Sequence, residues 1–217
     1  ILFPLAANYL LISVNCFAQP SITWQKLYDN PYNYDNYCFR VNNVDSVSFY
    51  LTGVSRITGN NYGTQIIKID KYGSVLSDKT FDTISLFKWA SLTTPDLGCV
   101  LVGNGPQRFK VNSNAEIVWY KNDGYILKSC QQIILTAEGG YLSCGYADDQ
   151  KGYAQKLDSA GNLVWEKFYP STESVLLLKD ALEIDSGNFL LYGDDFNANT
   201  LWKKAVLIKI NNNGNEI

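Results

Sequence analysis

Residues 130–169 decide the fold, and they read CQQIILTAEGGYLSCGYADDQKGYAQKLDSAGNLVWEKFY. This stretch contains four short runs that are rich in the β-branched and aromatic residues typical of strands. Gly139 and Gly140 separate the first two runs, and glycine adopts the positive φ of a tight hairpin turn without a steric penalty. The turn at residues 158–161 begins with Asp158, whose side chain can accept a hydrogen bond from the backbone two residues further on. The stretch therefore predicts four antiparallel strands in succession.

The same order of runs and turns recurs along the chain. A glycine follows the second run of each copy, at Gly53, Gly103, Gly145 and Gly193. A turn led by Asp or Asn follows each third run, and these turns start at Asp70, Asn112, Asp158 and Asn211. The fourth runs are centred on Trp24, Ser77, Trp119 and Trp165. Four strands in each repeat of about 40 to 50 residues are typical of β-propeller blades, whereas a β-sandwich requires no such repetition.

We therefore predict an all-β fold, a β-propeller of four-stranded antiparallel blades with about four blades present. The repeats are expected at approximately residues 29–81, 82–121, 122–169 and 170–217. Residues 21–28 form a fourth-type strand without the three strands that precede it elsewhere, so they are a possible ring-closing strand. A four-bladed ring closed by this strand and a fragment of a larger ring both fit. We favour the fragment, because residues 214–217 begin a further fourth strand and four-bladed rings are at the low end of the known range.

The first 18 residues are predicted to be a secretory signal peptide. Residues 2–14 form its apolar core, and Cys16 and Ala18 provide a small-x-small cleavage pattern. The apolar run is too short to span a bilayer comfortably, so we expect cleavage after Ala18 and no membrane span. The propeller domain would then comprise residues 19–217, and the protein would be secreted, extracellular or attached to the cell surface.

Composition and charge restrict the possible functions. The chain is 46% hydrophobic and 14% aromatic, which is enough apolar material for a sizeable core. A formal net charge of −3 with no basic cluster argues against a nucleic acid or an anionic membrane as partner. The absence of histidine from the chain removes the usual Ser-His and Cys-His nucleophiles and every His-based metal site. Carboxylate chemistry remains.

Four cysteines are left once the signal peptide is removed: Cys38, Cys99, Cys130 and Cys144. An even number of cysteines in an oxidising compartment permits disulfides. Cys130 and Cys144 flank the turn at residues 137–139 almost symmetrically, so they are the candidate pair. Buried free thiols that pack as small apolar side chains are the favoured alternative.

The segments GGYL (139–142) and AQKLDSAGNLVWEK (154–167), together with the signal end at residues 17–19, resemble tandem propeller repeats of secreted Bacteroidetes proteins. The resemblance covers residues 19–217 and implies a propeller of the broad PQQ-like and WD-like superfamily. Such proteins often carry a C-terminal sorting domain for type IX secretion, so it also implies that export route. The Leu-Asp-x-x-Gly-x-x-x-Trp element is similar to repeats of pyrroloquinoline-quinone enzymes. The vicinal cysteines of their alcohol-oxidising members are absent here, so the quinone cofactor is not expected.

A binding face is expected where the loop after the second strand and the link between blades emerge together. The candidates for a ligand face are Tyr32, Tyr34, Arg56, Asn61, Tyr62, Asp148 and Asp194. Tyrosines supply flat apolar surfaces, and amides and carboxylates supply hydrogen bonds, so a glycan or peptide could bind there. Weaker candidates for a Ca²⁺ site are Asp148, Asp149, Asp194 and Asp195, since Ca²⁺ prefers oxygen ligands. The simplest alternative is that all of these are solvated turn residues.

These patterns predict a secreted or cell-surface, non-catalytic β-propeller that serves as a binding or structural module. Its expected partner is an extracellular protein or a carbohydrate, and no cofactor other than possible Ca²⁺ is expected. The alternative is an enzyme that acts on polysaccharide through two carboxylates of the loop face, as glycosidases do.

Overall fold

A computed structural model describes residues 24–29, 35–86, 90–103, 107–123, 128–147 and 149–217. This part of the chain is all-β, and none of its segments forms a helix long and apolar enough to cross a membrane. Its strands, in chain order, are β1 Asn36–Asn43, β2 Ser48–Thr58, β3 Asn61–Asp70, β4 Val75–Phe81, β5 Ala90–Thr93, β6 Cys99–Val102, β7 Gln107–Val111, β8 Ile117–Asn122, β9 Lys128–Leu135, β10 Tyr141–Ala147, β11 Gly152–Leu157, β12 Leu163–Tyr169, β13 Val175–Asp185, β14 Asn188–Phe196 and β15 Lys203–Ile210.

The strands form four consecutive antiparallel sheets, each in the order of the chain. Blade 1 contains β1–β4, blade 2 contains β5–β8, and blade 3 contains β9–β12. Blade 4 contains β13–β15, with an isolated bridge from Ile210 to Glu216 where a fourth strand is expected. The predicted all-β fold with four successive antiparallel blades is thereby confirmed.

The hydrophobic core lies between the blades rather than at one centre. One cluster of buried side chains joins blades 1 and 2, a second joins blades 2 and 3, and a third joins blades 3 and 4. The largest fully buried side chains of these layers are Tyr50, Phe109, Phe189, Ile66, Leu86, Leu101, Ile133, Leu142, Leu157, Leu176, Leu178 and Leu191. Sheets that pack face to face in this way explain why the second strands carry nearly uninterrupted apolar runs.

Strand burial follows the position of each blade in the stack. Strand β6 is buried throughout, and β10 is buried at all but one residue. Strand β14 instead alternates between buried and less buried residues, and Tyr192 is 45% exposed. The second strand is therefore buried on both faces in blades 2 and 3 but not in blade 4.

Three of the four repeated glycines lie opposite a β-bulge. Strands β2, β10 and β14 continue past Gly53, Gly145 and Gly193, so the expectation that these glycines close the second strand is wrong; only Gly103 follows its strand. The register of the first strand shifts at each of the three positions. A Cβ atom there would collide with a backbone carbonyl oxygen of the first strand, that of Tyr37, Ser129 and Leu177, respectively. Glycine is thus required because two backbones approach each other at the bulge.

The turns between third and fourth strands share one geometry. As predicted, the side-chain oxygen of the first residue accepts backbone N–H bonds; Asp70 Oδ1, for example, accepts from Tyr72 and Ser74 at 2.8 Å each. Both bonds also form at Asn112 and Asn211, and Asp158 accepts from the N–H groups of Ala160 and Asn162. The fourth residues have positive φ angles, which are 75° at Gly73, 59° at Ala115, 76° at Gly161 and 74° at Gly214.

The turns of blades 3 and 4 pack against a tryptophan on the outermost strand of the preceding blade, in what we call the tryptophan–turn contact. A Cβ on Gly161 would lie 2.7 Å from the Trp119 ring, and one on Gly214 would lie 2.9 Å from the Trp165 ring. Where the repeat places Ser77 instead of tryptophan, the turn carries Ala115 in place of glycine. At blades 3 and 4, the tryptophan leaves no room for a Cβ atom at the fourth residue of the turn.

Hydrogen bonds reinforce the tryptophan–turn contact. Trp165 Nε1 donates to the Asn212 carbonyl at 2.7 Å, and the Tyr169 hydroxyl donates to the Gly214 carbonyl at 2.9 Å. At the turn of blade 3, Arg108 Nε takes the equivalent role and donates to the Gly161 carbonyl at 2.9 Å. Turn carbonyls that face the neighbouring blade are thus satisfied.

Residues 24–29 supply the same contact to blade 1 without forming a strand. Trp24 Nε1 donates to the Lys71 carbonyl at 3.2 Å, and the Tyr28 hydroxyl donates to the Gly73 carbonyl at 3.0 Å. This segment pairs with none of the four sheets. The ring-closing role expected for residues 21–28 and the repeat boundaries stay predictions.

We expect Gly161→Ala to destabilise the fold by about 1–3 kcal/mol, because the new methyl group meets the Trp119 ring and alanine is strained at positive φ. The matched control is Ala115→Gly at the equivalent turn, which relieves that strain and should change stability by less than about 1 kcal/mol. Urea unfolding followed by tryptophan fluorescence measures both variants. Equal losses in the two variants would contradict the tryptophan–turn contact.

Candidate functional site

Two loops of blade 4 meet on one face of the molecule. The first precedes β13 and contains residues 170–174; the second joins β14 to β15 and contains residues 197–202. Asn197 Nδ2 donates to Glu173 Oε2 at 3.0 Å, and the Ala198 N–H donates to Ser174 Oγ at 3.4 Å. The link between blades and the loop after the second strand therefore emerge together, as the blade topology predicts.

Asp195 holds the first loop in place. Its carboxylate is buried and accepts hydrogen bonds from the Ser171 hydroxyl and from the Thr172 N–H and hydroxyl, the last two at 2.8 and 2.6 Å. Burial alone would raise the pKa of Asp195, but these donors and the Glu173 N–H outweigh it and keep the pKa below its ordinary value. Asp195 is therefore an ionised structural anchor.

Asn197 holds the second loop in place. Its Oδ1 accepts the N–H groups of Asn199 and Thr200 at 3.0 and 3.1 Å. Its backbone N–H and carbonyl bond to the Trp202 carbonyl and the Leu201 N–H, both at 2.9 Å. Leu201 has a φ of 61°, a left-handed conformation that is uncommon for a bulky residue and that these bonds maintain.

The loop presents an exposed tryptophan beside a cavity. Trp202 is 78% exposed, and the adjoining Leu201 is 72% exposed. The cavity has a volume of about 290 Å³ and is lined by Glu173, Asn197, Thr200, Trp202 and Lys204. An aromatic face beside amide, hydroxyl, carboxylate and ammonium groups is suited to a polar ligand that has one apolar side.

Glu173 and Lys204 form an ion pair at the edge of this cavity. Hydrogen bonds from Lys204 and Asn197 lower the pKa of Glu173, and the bond to Glu173 raises the pKa of Lys204. Both groups are therefore charged near neutral pH. Two lone pairs of the carboxylate and two N–H donors of the ammonium remain for a ligand.

Three of the predicted ligand-face residues lie together at one end of blade 1. Arg56 pairs with Tyr62 across β2 and β3, and Asn61 begins β3. The Arg56 guanidinium lies 3.5 Å from the Asp35 carboxylate, which belongs to the link before β1. These contacts repeat the meeting of link and loop seen in blade 4.

The predicted carboxylates that the structure describes, Asp149, Asp194 and Asp195, are each bound by neighbouring residues. Asp194 pairs with Lys179, and Asp149 pairs with Lys151 at 2.8 Å, which lowers the pKa of Asp149. No group of three or more acidic or sulfur side chains in the described part of the chain could hold a metal ion. Asp148, Tyr32 and Tyr34 lie outside the described residues. The Ca²⁺ site and the predicted ligand-face residues stay predictions.

All four described cysteines are free thiols. Cys130 packs in the layer between blades 2 and 3, whereas Cys144 packs in the layer between blades 3 and 4. The two side chains therefore point to opposite faces of the same sheet, which excludes the candidate disulfide in this structure. Cys38 is exposed and lines a smaller cavity of about 190 Å³ between residues 26–28 and blade 1.

The sequence interpretation missed the most exposed tryptophan of the chain that the structure describes. Trp202, Glu173 and Lys204 were absent from the predicted ligand face. One signal was available: Trp24, Trp119 and Trp165 occupy the repeated fourth-strand position, whereas Trp202 follows a polar loop and has no counterpart in the other repeats.

The fold and this loop face define a β-propeller with a ligand-sized cavity on its blade edge. No family model matches the chain, and no curated protein matches it.

Solved structures do resemble it. A β-xylosidase/α-arabinofuranosidase from a compost microbial metagenome, solved with xylotriose, is 9% identical with a TM-score of 0.50, over 80% of this chain and 70% of that one. BamB from Moraxella catarrhalis is 13% identical with a TM-score of 0.45, over 81% and 59%. A Bifidobacterium bifidum protein described as an exo-β-1,3-galactanase is 12% identical with a TM-score of 0.49, over 76% and 63%.

These likenesses concern the fold. At 9% identity the first of these matches shows the propeller fold and nothing finer. The chain spans only 63% and 59% of the lengths of the other two structures.

We expect Cys38 to be the one described cysteine that iodoacetamide modifies in the native protein at about pH 8. Burial raises the pKa of all four thiols, to about 12 for Cys99 and Cys130 and well above the ordinary value for Cys144, but Cys38 alone among the described cysteines is exposed. Peptide mass mapping before and after denaturation measures the pattern. A bridged Cys130–Cys144 peptide would contradict the assignment of opposite faces.

We expect Asp195→Asn to lower the free energy of unfolding by about 1.5–3 kcal/mol at pH 7, since charged hydrogen bonds are lost. Because the folded pKa lies below the ordinary 3.8, the stabilisation is present above pH 3.8 and is lost as the pH falls through the folded pKa. The difference in the free energy of unfolding between wild type and Asp195→Asn should therefore shrink as the pH falls towards about 3, as urea unfolding would measure.

The control for this experiment is Asp149→Asn, which breaks an exposed pair and should cost less than about 1 kcal/mol. If Asp195→Asn lowers the free energy of unfolding by the same amount at neutral and acidic pH, the charge of Asp195 is not the source of the stabilisation.

Proposed function

We propose that this protein is a secreted or cell-surface propeller module that binds extracellular carbohydrate, without catalysing a reaction, at the cavity beside Trp202. The fold supplies a rigid stack of blades, and the loop face of blade 4 supplies the ligand contacts. Export rests on the signal-peptide pattern of residues 1–18 and on the resemblance to type IX-secreted repeat proteins.

The observation that carries the proposal is the exposure of Trp202 on a loop that hydrogen bonds hold rigid. An indole that is 78% exposed contributes nothing to the core, and its loop also maintains the strained Leu201. Sugar rings have an apolar C–H face and hydroxyl edges, so they match an aromatic surface bordered by polar groups. Hydrogen bonds already hold the backbone of the tryptophan's loop, which lowers the entropic cost of ordering that loop on binding.

The enzyme alternative has less support from the carboxylates. A general acid requires a carboxyl group with a raised pKa, and each described Asp or Glu with a shifted pKa is shifted downwards. Asp194, one of the candidates for catalysis, is paired with Lys179. These observations favour binding over hydrolysis.

We expect Trp202→Ala to reduce glycan affinity at least tenfold, because the stacking surface is removed. A glycan array identifies the best ligand, and titration calorimetry measures its affinity. Leu207→Ala is the matched control, since it also removes an exposed apolar side chain of blade 4 but lies outside the cavity. Both variants should keep the wild-type melting temperature.

Two results would contradict the proposal. The first is unchanged affinity in Trp202→Ala. The second is hydrolysis of the bound glycan that is lost in Asp194→Asn, which would establish the enzyme alternative.

A further inference from the structure

The charge of the cavity limits which carbohydrate can bind. Glu173 and Lys204 neutralise each other, and Asn197 and Thr200 are uncharged. A further charge that acts on this pair is the buried carboxylate of Asp195, which lies opposite Lys204 in the register of β14 and β15. The site therefore has no surplus positive charge for an acidic sugar, and a carboxylate in the ligand would face two fixed negative groups.

The ion pair also sets a spacing. Glu173 Oε2 is held by Asn197 at 3.0 Å while Oε1 contacts the Lys204 ammonium, so a free acceptor and a free donor lie side by side. Two hydroxyl groups on adjacent carbons can use both at once: one donates to the carboxylate and its neighbour accepts from the ammonium. An isolated hydroxyl can use only one of the two groups.

We propose that the cavity recognises one neutral sugar ring through two adjacent hydroxyl groups, which bind Glu173 and Lys204 while the C–H face of the ring stacks on Trp202. This inference rests on the proposed function and deepens it. A volume of about 290 Å³ is at the lower end of the volumes of ligand pockets, so a longer glycan would place one of its sugar units in the cavity.

The test uses three methyl glycosides with the wild-type protein. Methyl β-glucopyranoside is neutral and has adjacent ring hydroxyls. Its 3-deoxy derivative is neutral but has no adjacent pair, and methyl β-glucuronide keeps adjacent hydroxyls but is negatively charged. NMR titration of the Trp202 indole N–H should give a Kd of about 1 mM for the first sugar and at least tenfold weaker binding for each of the others.

Two variants connect the preference to the ion pair. Glu173→Gln and Lys204→Met should weaken binding of methyl β-glucopyranoside about tenfold but leave the 3-deoxy sugar unchanged, because only adjacent hydroxyls use both groups. Lys203→Met is the matched control, since Lys203 is the next residue on β15 but lies over the Phe196 ring, away from the cavity. It should bind all three sugars like wild type.

The outcomes separate this inference from the proposed function. Equal affinity for the parent and 3-deoxy sugars, with both lost in Trp202→Ala, would overturn the adjacent-hydroxyl inference and leave carbohydrate binding intact. Tighter binding of the glucuronide would overturn the requirement for a neutral ring. Absence of binding to these sugars and to every glycan of the array would overturn both proposals.

Discussion

The tryptophan–turn contact is the interaction on which the stack of blades depends. Each four-stranded sheet is too small to bury both of its faces alone, so its stability comes from the layer it shares with the next blade. The contact ties the outermost strand of one blade to the last turn of the following blade, where the apolar layer ends. It therefore fixes the relative rotation of neighbouring sheets and satisfies turn carbonyls that would otherwise face an apolar neighbour. The turn that carries Ala115 in place of glycine belongs to the blade after the one in which the repeat has Ser77 in place of tryptophan.

Those parts of the fold that depend on local chemistry were predictable from the sequence. A turn that starts with Asp or Asn and ends in a positive φ has few residue choices, so the turns at Asp70 and Asp158 were recognisable. The role of the repeated glycines was not, because the bulge lies in the opposing strand. The extra residues there are Phe39, Gln131 and Lys179, which share no chemistry.

The bulge also explains why Cys130 and Cys144, the candidate disulfide pair, lie on opposite faces of their sheet. Counting from the turn at residues 137–139 brings Cys130 and Cys144 to adjacent strands, and this is correct. The extra residue at Gln131 changes which side chains share a face, so Cys130 enters one interblade layer and Cys144 the other. Side-chain direction after a bulge cannot be read from period-two alternation alone.

The candidate site shows a different limit of sequence reasoning. The sequence analysis chose acidic pairs as ligand-face candidates. In the structure, Asp194 pairs with Lys179, and Asp195 accepts hydrogen bonds from the first loop. Glu173 and Lys204 are 31 residues apart and carry no shared motif; they meet only because link and loop emerge on the same face. The scaffold repeats, but the loop after the second strand does not: in blade 1 it is a tight turn at residues 59–60, and in blade 4 it spans residues 197–202. Because the repeated contacts already stabilise the blades, a loop of one blade can differ from its counterparts and hold Leu201 in a strained conformation. Because its sequence is not constrained by the repeat, the loop at residues 197–202 is the part of the molecule where we expect a ligand to bind.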